Sequence, residues 1–181
     1  MVEQAATLAR PLLNLPWVRR TRRNHALEHA TITILATRLR NLRMAGRSDA
    51  SGFVLIGDVP TESVEQAAED ALNRLGRGEN KLAIHPNCGT NMVTTAFMTS
   101  VAAMLGLTGA QRREWFGRLP LVMMLVMVGG MISQPLGTSL QKHITTDADP
   151  ADTEILEVTK HEVTLPMGGK MIVHRVNTRS T

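Results

Sequence analysis

The sequence predicts an α+β fold: a small sheet with packed helices, interrupted by a two-helix transmembrane hairpin. Three observations lead there. Short apolar runs alternate with segments of helical periodicity up to about residue 90. Two long stretches without a single charged residue follow. A charge-rich linker then gives way to residues that alternate with a period near two.

The elements follow in chain order. Residues 1–22 mix Leu8, Leu12, Leu13, Leu15, Trp17 and Val18 with an arginine cluster. They read as an amphipathic segment on a membrane surface, or equally as a linker or the end of a core helix. Pro11 and Pro16 argue against one long helix. Arg10, Arg19, Arg20, Arg22 and Arg23 leave no apolar run sufficient for a cleavable signal peptide. An α+β domain is expected over 23–90. Asn24 is a plausible N-cap, and Leu27, Ala30, Ile32, Ile34, Leu35, Leu39 and Leu42 recur at helical spacing as far as Met44. Met44 to Gly52 reads as a loop. Phe53 to Ile56 reads as a short buried strand, closed by Gly57-Asp58-Val59-Pro60. Thr61 begins a second helix with Val64, Ala67, Ala68, Ala71, Leu72 and Leu75 on its apolar face. Lys81 to His85 reads as a second strand. The hairpin occupies 91–140, with Thr90 or Asn91 as its cap. An acidic linker covers 141–153. A C-terminal β-hairpin over 154–181 completes the domain, with strands 155–165 and 170–177 joined through Pro166-Met167-Gly168-Gly169.

No Asp, Glu, Lys or Arg lies between Lys81 and Arg112, nor between Arg118 and Lys142. Each gap accommodates the roughly 20 residues that a bilayer crossing needs. The second, from Leu119 to Ile132, is nearly all apolar. The first carries Thr94, Thr95, Thr99 and Ser100, hydroxyls that bond back to their own helix or across to a neighbour. The alternative is a pair of buried core helices, which so small a soluble protein struggles to cover. The seven Met from Met92 to Met131 fit flexible packing better than a copper path. All Lys and Arg except Arg112, Arg113 and Arg118 lie outside the turn. The positive-inside bias therefore puts both termini and the α+β domain on the cytoplasmic side of the inner membrane.

The net charge of +4 in 181 residues is concentrated near the N-terminus. It is read most simply as attraction to anionic headgroups. With no Tyr, three Phe and two Trp, stacking platforms for nucleic acid are poorly supplied, and no nucleic-acid partner is expected. The partners expected are membrane lipid and a membrane-protein substrate or neighbour. The single cysteine excludes an intramolecular disulfide and favours a reducing compartment.

The chemistry concentrates in two motifs. His25-Ala26-Leu27-Glu28-His29 places two imidazoles one helical turn apart on one face, with a carboxylate at its edge. That pair can grip a divalent ion, zinc or another, and the carboxylate can activate water. The order H-x-x-E-H is that of the inverted zinc peptidases, in which both His are ligands and the Glu is the general base. Glu28 has two further readings, as a third ligand or as an acceptor for a ligand's N–H. His85-Pro86-Asn87-Cys88-Gly89-Thr90-Asn91 offers the missing donors. His85 is the candidate third ligand, or an interfacial residue before a membrane helix. Cys88 can close a His3Cys site, which leaves no open position for water. Asn87 and Asn91 orient a substrate carbonyl or satisfy the loop backbone. His143, His161 and His174 show no ligand spacing and are taken as structural.

The two motifs together resemble the YqhQ-like bacterial membrane proteins, described as metal-dependent enzymes. Those proteins pair H-G-A-E-H with a downstream H-P-x-C-G-T before membrane helices. The resemblance covers the motifs and their order. It departs at Ala26, where the pattern has Gly, and in having one hairpin rather than many spans. The chain looks closer still to small uncharacterised membrane proteins with a domain of unknown function. The resemblance implies a membrane protein with a metal site at His25, His29 and His85, with Glu28 and Cys88 nearby. The function expected is a membrane-anchored zinc-dependent hydrolase with Glu28 as base. The alternative is a non-catalytic assembly or scaffold protein with a closed His3Cys site.

Overall fold

The computed structural model describes residues 2–164 and 169–180. They form two compact units: residues 3–85 with 142–181, and residues 86–141.

The first unit is α+β. Two short helices, α1 (Val2–Leu8) and α2 (Arg10–Leu13), precede the long α3 (Pro16–Arg38). The prolines divide them as expected. Pro16 stands at the first helical position of α3, where a missing N–H costs nothing. No breaker follows for more than twenty residues, so the helix begins well before Asn24. The expected cap is therefore an interior, buried residue of α3, and the H-x-x-E-H segment lies mid-helix rather than in the first turns. The C-terminal end also differs from expectation. α3 stops at Arg38, and Asn41 adopts the left-handed conformation (φ 58°) that this residue type tolerates. Leu39, Leu42 and Met44 still pack against the core, which is why their spacing looked helical.

Strand β1 (Ala45–Asp49) occupies the stretch expected to be a loop. Its Ala-Gly-Arg-Ser-Asp composition has no apolar alternation, because it is a short edge strand. It pairs antiparallel with β2 (Gly52–Ile56), Ala45 opposite Ile56 and Asp49 opposite Gly52. The tight turn between them is held by the Asp49 carboxylate, which accepts from the Ser51 N–H at 2.8 Å. Helix α4 (Thr61–Gly76) follows as expected and buries Val64, Ala67, Ala68, Ala71 and Leu75.

The expected strand at 81–85 is instead a 3-10 turn, Asn80–Ala83. A short apolar run does not by itself separate a strand from a turn packed on the core. The sheet has four antiparallel strands in the order β1-β2-β4-β3, with β3 at Glu154–Thr164 and β4 at Lys170–Arg179. β4 fills the place beside β2, with Phe53 opposite Val176 and Leu55 opposite His174. The turn expected at 166–169 lies, apart from Gly169, outside the described residues. Leu27, Ala30, Ile34 and Leu35 of α3 meet Phe53, Leu55 and Val176 of the sheet and the alanine face of α4. Burying each large side chain contributes about 1.5–3 kcal/mol.

The second unit is a helical hairpin of α5 (Gly89–Leu107) and α6 (Trp115–Leu140). Small residues set the approach of the two helices. A Cβ on Gly129 would lie 3.1 Å from the Met98 carbonyl and 3.2 Å from the Ala102 Cβ. The hydroxyls act in both expected ways. Thr94 and Thr99 donate back to the Thr90 and Thr95 carbonyls, and Thr95 bonds across to Ser133 at 2.8 Å. Both helices are long and apolar enough to cross a membrane, and only 17% and 11% of their most apolar windows are buried. Phe97, Met104, Met123, Met127 and Met131 face outward.

His174 sits in the core of the first unit with no measurable exposure. Burial, with Lys160 acting in the same direction, holds its pKa below the ordinary 6.5 against the opposing pull of the Val59 and Gly57 backbone and Asp58. The unfolded chain therefore binds the proton more readily than the folded one, so stability falls as pH drops through the ordinary histidine range. We expect thermal melts at pH 7.5 and 5.5 to show a larger loss of stability in wild type than in His174→Leu. Equal losses would exclude His174 as the cause.

Candidate metal centre

Helix α3 carries the first motif through the interior of the α+β unit and divides its side chains between two directions. His25 and His29 share one. Their ring centroids are 4.3 Å apart at an interplanar angle of 65°. His85, just past the 3-10 turn, brings its ring to 5.9 Å from that of His29. The sequence separates His85 from His29 by most of a domain, and the packing of the 3-10 turn on α3 closes that gap.

Backbone carbonyls orient the two helical rings. His25 Nδ1 lies 2.9 Å from the Thr145 carbonyl oxygen, and His29 Nδ1 lies 2.8 Å from that of Ala83. A carbonyl oxygen only accepts, so Nδ1 of each ring carries the proton and donates. In the neutral imidazole the lone pair is then on Nε2. Histidines that bind metals characteristically make this bond through the other ring nitrogen. His29 is buried and His25 partly so. The donor set and the shared tautomer fit a divalent ion of the zinc class.

Asn24 and Glu28, one turn apart, take the other direction, toward the sheet. Asn24 Nδ2 donates to the Asp49 carbonyl at 2.8 Å, and its Oδ1 accepts from Thr178 Oγ1 at 2.7 Å. The Glu28 carboxylate, only 4% exposed, accepts from Ser48 Oγ of β1. A Cβ at position 46 would strike that carboxylate, so Gly46 makes the room it occupies. The polar composition that hid β1 thus has a purpose: the strand supplies a hydroxyl donor, a carbonyl acceptor and a gap to the buried polar face of α3.

Cys88 belongs to the hairpin unit. It is the N-cap of α5, in place of the expected Thr90 or Asn91, and its Sγ accepts from the Thr90 N–H at 3.4 Å. Asn91 donates to the Pro86 carbonyl at 2.9 Å and so satisfies loop backbone. Asn87 is exposed. His161 is exposed on β3, His174 is in the core, and His143 lies in a π-helical turn, Gln141–Thr145. The groups that motif reading missed are Ser48, Gly46, Arg22 and the carbonyls of Ala83 and Thr145. Arg22 bonds the carbonyls on either side of Thr145; burial lowers its pKa and Asp147 opposes the shift. A backbone carbonyl leaves no mark in a sequence. The Asp49-Ala50-Ser51-Gly52 turn ahead of an apolar strand was the available signal for β1.

The model of a domain of unknown function, DUF6391, matches residues 20–158. This chain belongs to that family. An uncharacterised protein of Picosynechococcus sp. (strain ATCC 27264 / PCC 7002 / PR-6) is 34% identical over 155 residues, covering 77% of this chain and 72% of the relative. No solved structure matches. The DUF6391 match spans both motifs and the hairpin and ends within β3. Neither match links the chain to the YqhQ-like proteins that the two motifs resemble.

Ser48→Ala withdraws the hydroxyl that the buried Glu28 carboxylate accepts. We expect a loss of about 1–3 kcal/mol in chemical denaturation, the usual cost of an under-satisfied buried group. An unchanged midpoint would show that this bond contributes nothing to the fold.

Proposed function

We propose that this protein is a membrane-anchored, zinc-dependent hydrolase, a peptidase in its most specific form. The observation that carries the reading is the common orientation of His25 and His29, each with Nδ1 on a backbone carbonyl and Nε2 available by tautomer as a ligand atom. In this reading His25, His29 and His85 would hold the ion. A zinc ion supplies the Lewis acidity that makes water a nucleophile near neutral pH. Glu28 is the base that the H-x-x-E-H order names; in the fold its carboxylate accepts from Ser48 on the sheet side of α3, so acting on water held by the histidines would require it to leave that bond and turn to their face.

The exposed apolar faces of α5 and α6 support placing the hairpin in a bilayer. α5 begins at Gly89, four residues after His85, which favours a site at headgroup depth and a membrane protein or lipid as substrate. The distribution of Arg and Lys favours the cytoplasmic face of the inner membrane for the α+β unit and both termini.

One observation favours a second reading, a non-catalytic scaffold with a structural ion. The Glu28 carboxylate is buried and turned to β1, where it anchors an edge strand through Ser48. In that reading Cys88 is the fourth ligand. Chain length alone keeps its Cα within about 11 Å of that of His85, at no more than about 3.6 Å per residue.

Elemental analysis of the purified protein is expected to give about one divalent ion per chain, lost in the His25→Ala/His29→Ala double mutant. Equal metal in both proteins would refute the site. Glu28→Gln separates the two functions. It retains an acceptor for Ser48 but removes the base. As a hydrolase the variant keeps its metal and fold and loses about 10²–10⁴-fold in activity, read as failure to complement a deletion strain. Normal complementation by Glu28→Gln together with metal loss in Cys88→Ser would replace the hydrolase by the scaffold.

A further inference from the structure

We propose that Arg22 is a positioning residue for the metal centre: its guanidinium holds the Thr145 carbonyl against His25 and so fixes that ring with Nε2 toward the ion. The inference rests on the metal reading above and adds to it a device that the ligand motif does not contain.

The π-helical turn ends at Thr145, and the last carbonyls of a helix have no partner further along the chain. Arg22 and His25 lie three residues apart on α3, hence on neighbouring positions of one face. Together they serve three successive carbonyls. Arg22 Nε donates to the Ile144 oxygen at 2.7 Å and Nη2 to the Thr146 oxygen at 2.9 Å. The Asp147 N–H donates back to the Arg22 carbonyl at 3.1 Å, and the Asp147 carboxylate lies 4.0 Å from Nη1. The chain is thus gripped on both sides of Thr145. The carbonyl between the two grips meets His25 Nδ1 at 2.9 Å.

The planar guanidinium matters here. Its donors are fixed relative to one another and can hold two carbonyls at a set separation, whereas a lysine ammonium is a single rotating point. His29 needs no such device, because the Ala83 carbonyl that orients it belongs to a 3-10 turn packed on α3 and buried with it. The bland alternative is that Arg22 only ties residues 144–147 to α3. That role predicts lower stability on mutation, with no change in the ring of His25.

The test uses the full chain in detergent, labelled with ¹⁵N-histidine, with the His25 signals assigned from His25→Gln. Wild type is expected to show the Nδ1–H tautomer at His25. Arg22→Lys is expected to show a mixture with Nε2–H. Zinc and cobalt(II) titrations run in parallel. Affinity should fall about 10–100-fold in Arg22→Lys and Arg22→Gln, the usual effect of losing a ligand's orienting partner, and the cobalt absorption spectrum should change shape. Arg38→Ala, which removes the ion pair with Asp70 at the C-terminal end of α3, controls for general destabilisation and should alter neither readout. Arg22 variants that keep both the Nδ1–H tautomer and wild-type affinity would overturn the proposal. A wild type that takes up neither ion would instead overturn the metal reading, and the tautomer of His25 in Arg22→Lys would still separate that failure from a failure of Arg22 to hold Thr145.

Discussion

A polar side chain enters a protein interior at the cost of its hydration unless a partner replaces the water. Helix α3 takes Asn24, Glu28 and His29 inside within two turns, and much of the α+β unit is arranged to meet them. β1 brings the Asp49 carbonyl and the Ser48 hydroxyl, β4 brings Thr178, and the 3-10 turn brings the Ala83 carbonyl. None of these partners is adjacent to α3 in sequence. The apolar side of the same helix builds the ordinary core with Phe53, Leu55 and the alanine face of α4. The apolar side supplies most of the free energy, and the polar side restricts which arrangement of strands can take it.

This division explains what was legible in the sequence. The α+β class, α4 and β2 were readable because apolar spacing reports a buried face directly. The H-x-x-E-H pair was readable because i, i+4 spacing fixes which side chains share a face. β1 was not, since its fitness for its place lies in Gly46 and Ser48, which look like loop residues until Glu28 is seen against them. The start of α3 was missed for a related reason. Asn24 has the chemistry of a cap, and only tertiary structure shows its amide committed to Asp49 and Thr178. The strand expected at 81–85 failed because Leu82 and Ile84 look alike in a strand and in a turn laid on a core.

The candidate centre shows the same limit. Its side-chain donors were visible as letters, but the groups that orient them are mostly main chain. A motif names the atoms that bind. It does not name the carbonyl that decides which nitrogen of an imidazole carries the proton. For His25 that carbonyl lies 120 residues away, in a segment that sequence reading assigned to a linker. Glu28 shows the same limit. On the helix it is one residue from His29, and in the fold it faces a strand.

The order of the strands sets a schedule for the making of this protein. β2 is synthesised early, yet its inner neighbour β4 is the last strand of the chain, and the hairpin is made between them. On the ribosome, α3, β2 and α4 emerge with one side of β2 lacking its ladder and with buried polar groups still waiting for Thr178 and Thr145. The hairpin is complete while the sheet is still half built. Closure of the α+β unit is therefore a late, long-range step, of the kind that slows folding and leaves an unpaired strand edge open to wrong partners in the interval. The site residues on α3 and His85 are all present before that step, as are Ser48, Asp49 and the Ala83 carbonyl, whereas the Thr145 carbonyl and Thr178 come only after the hairpin.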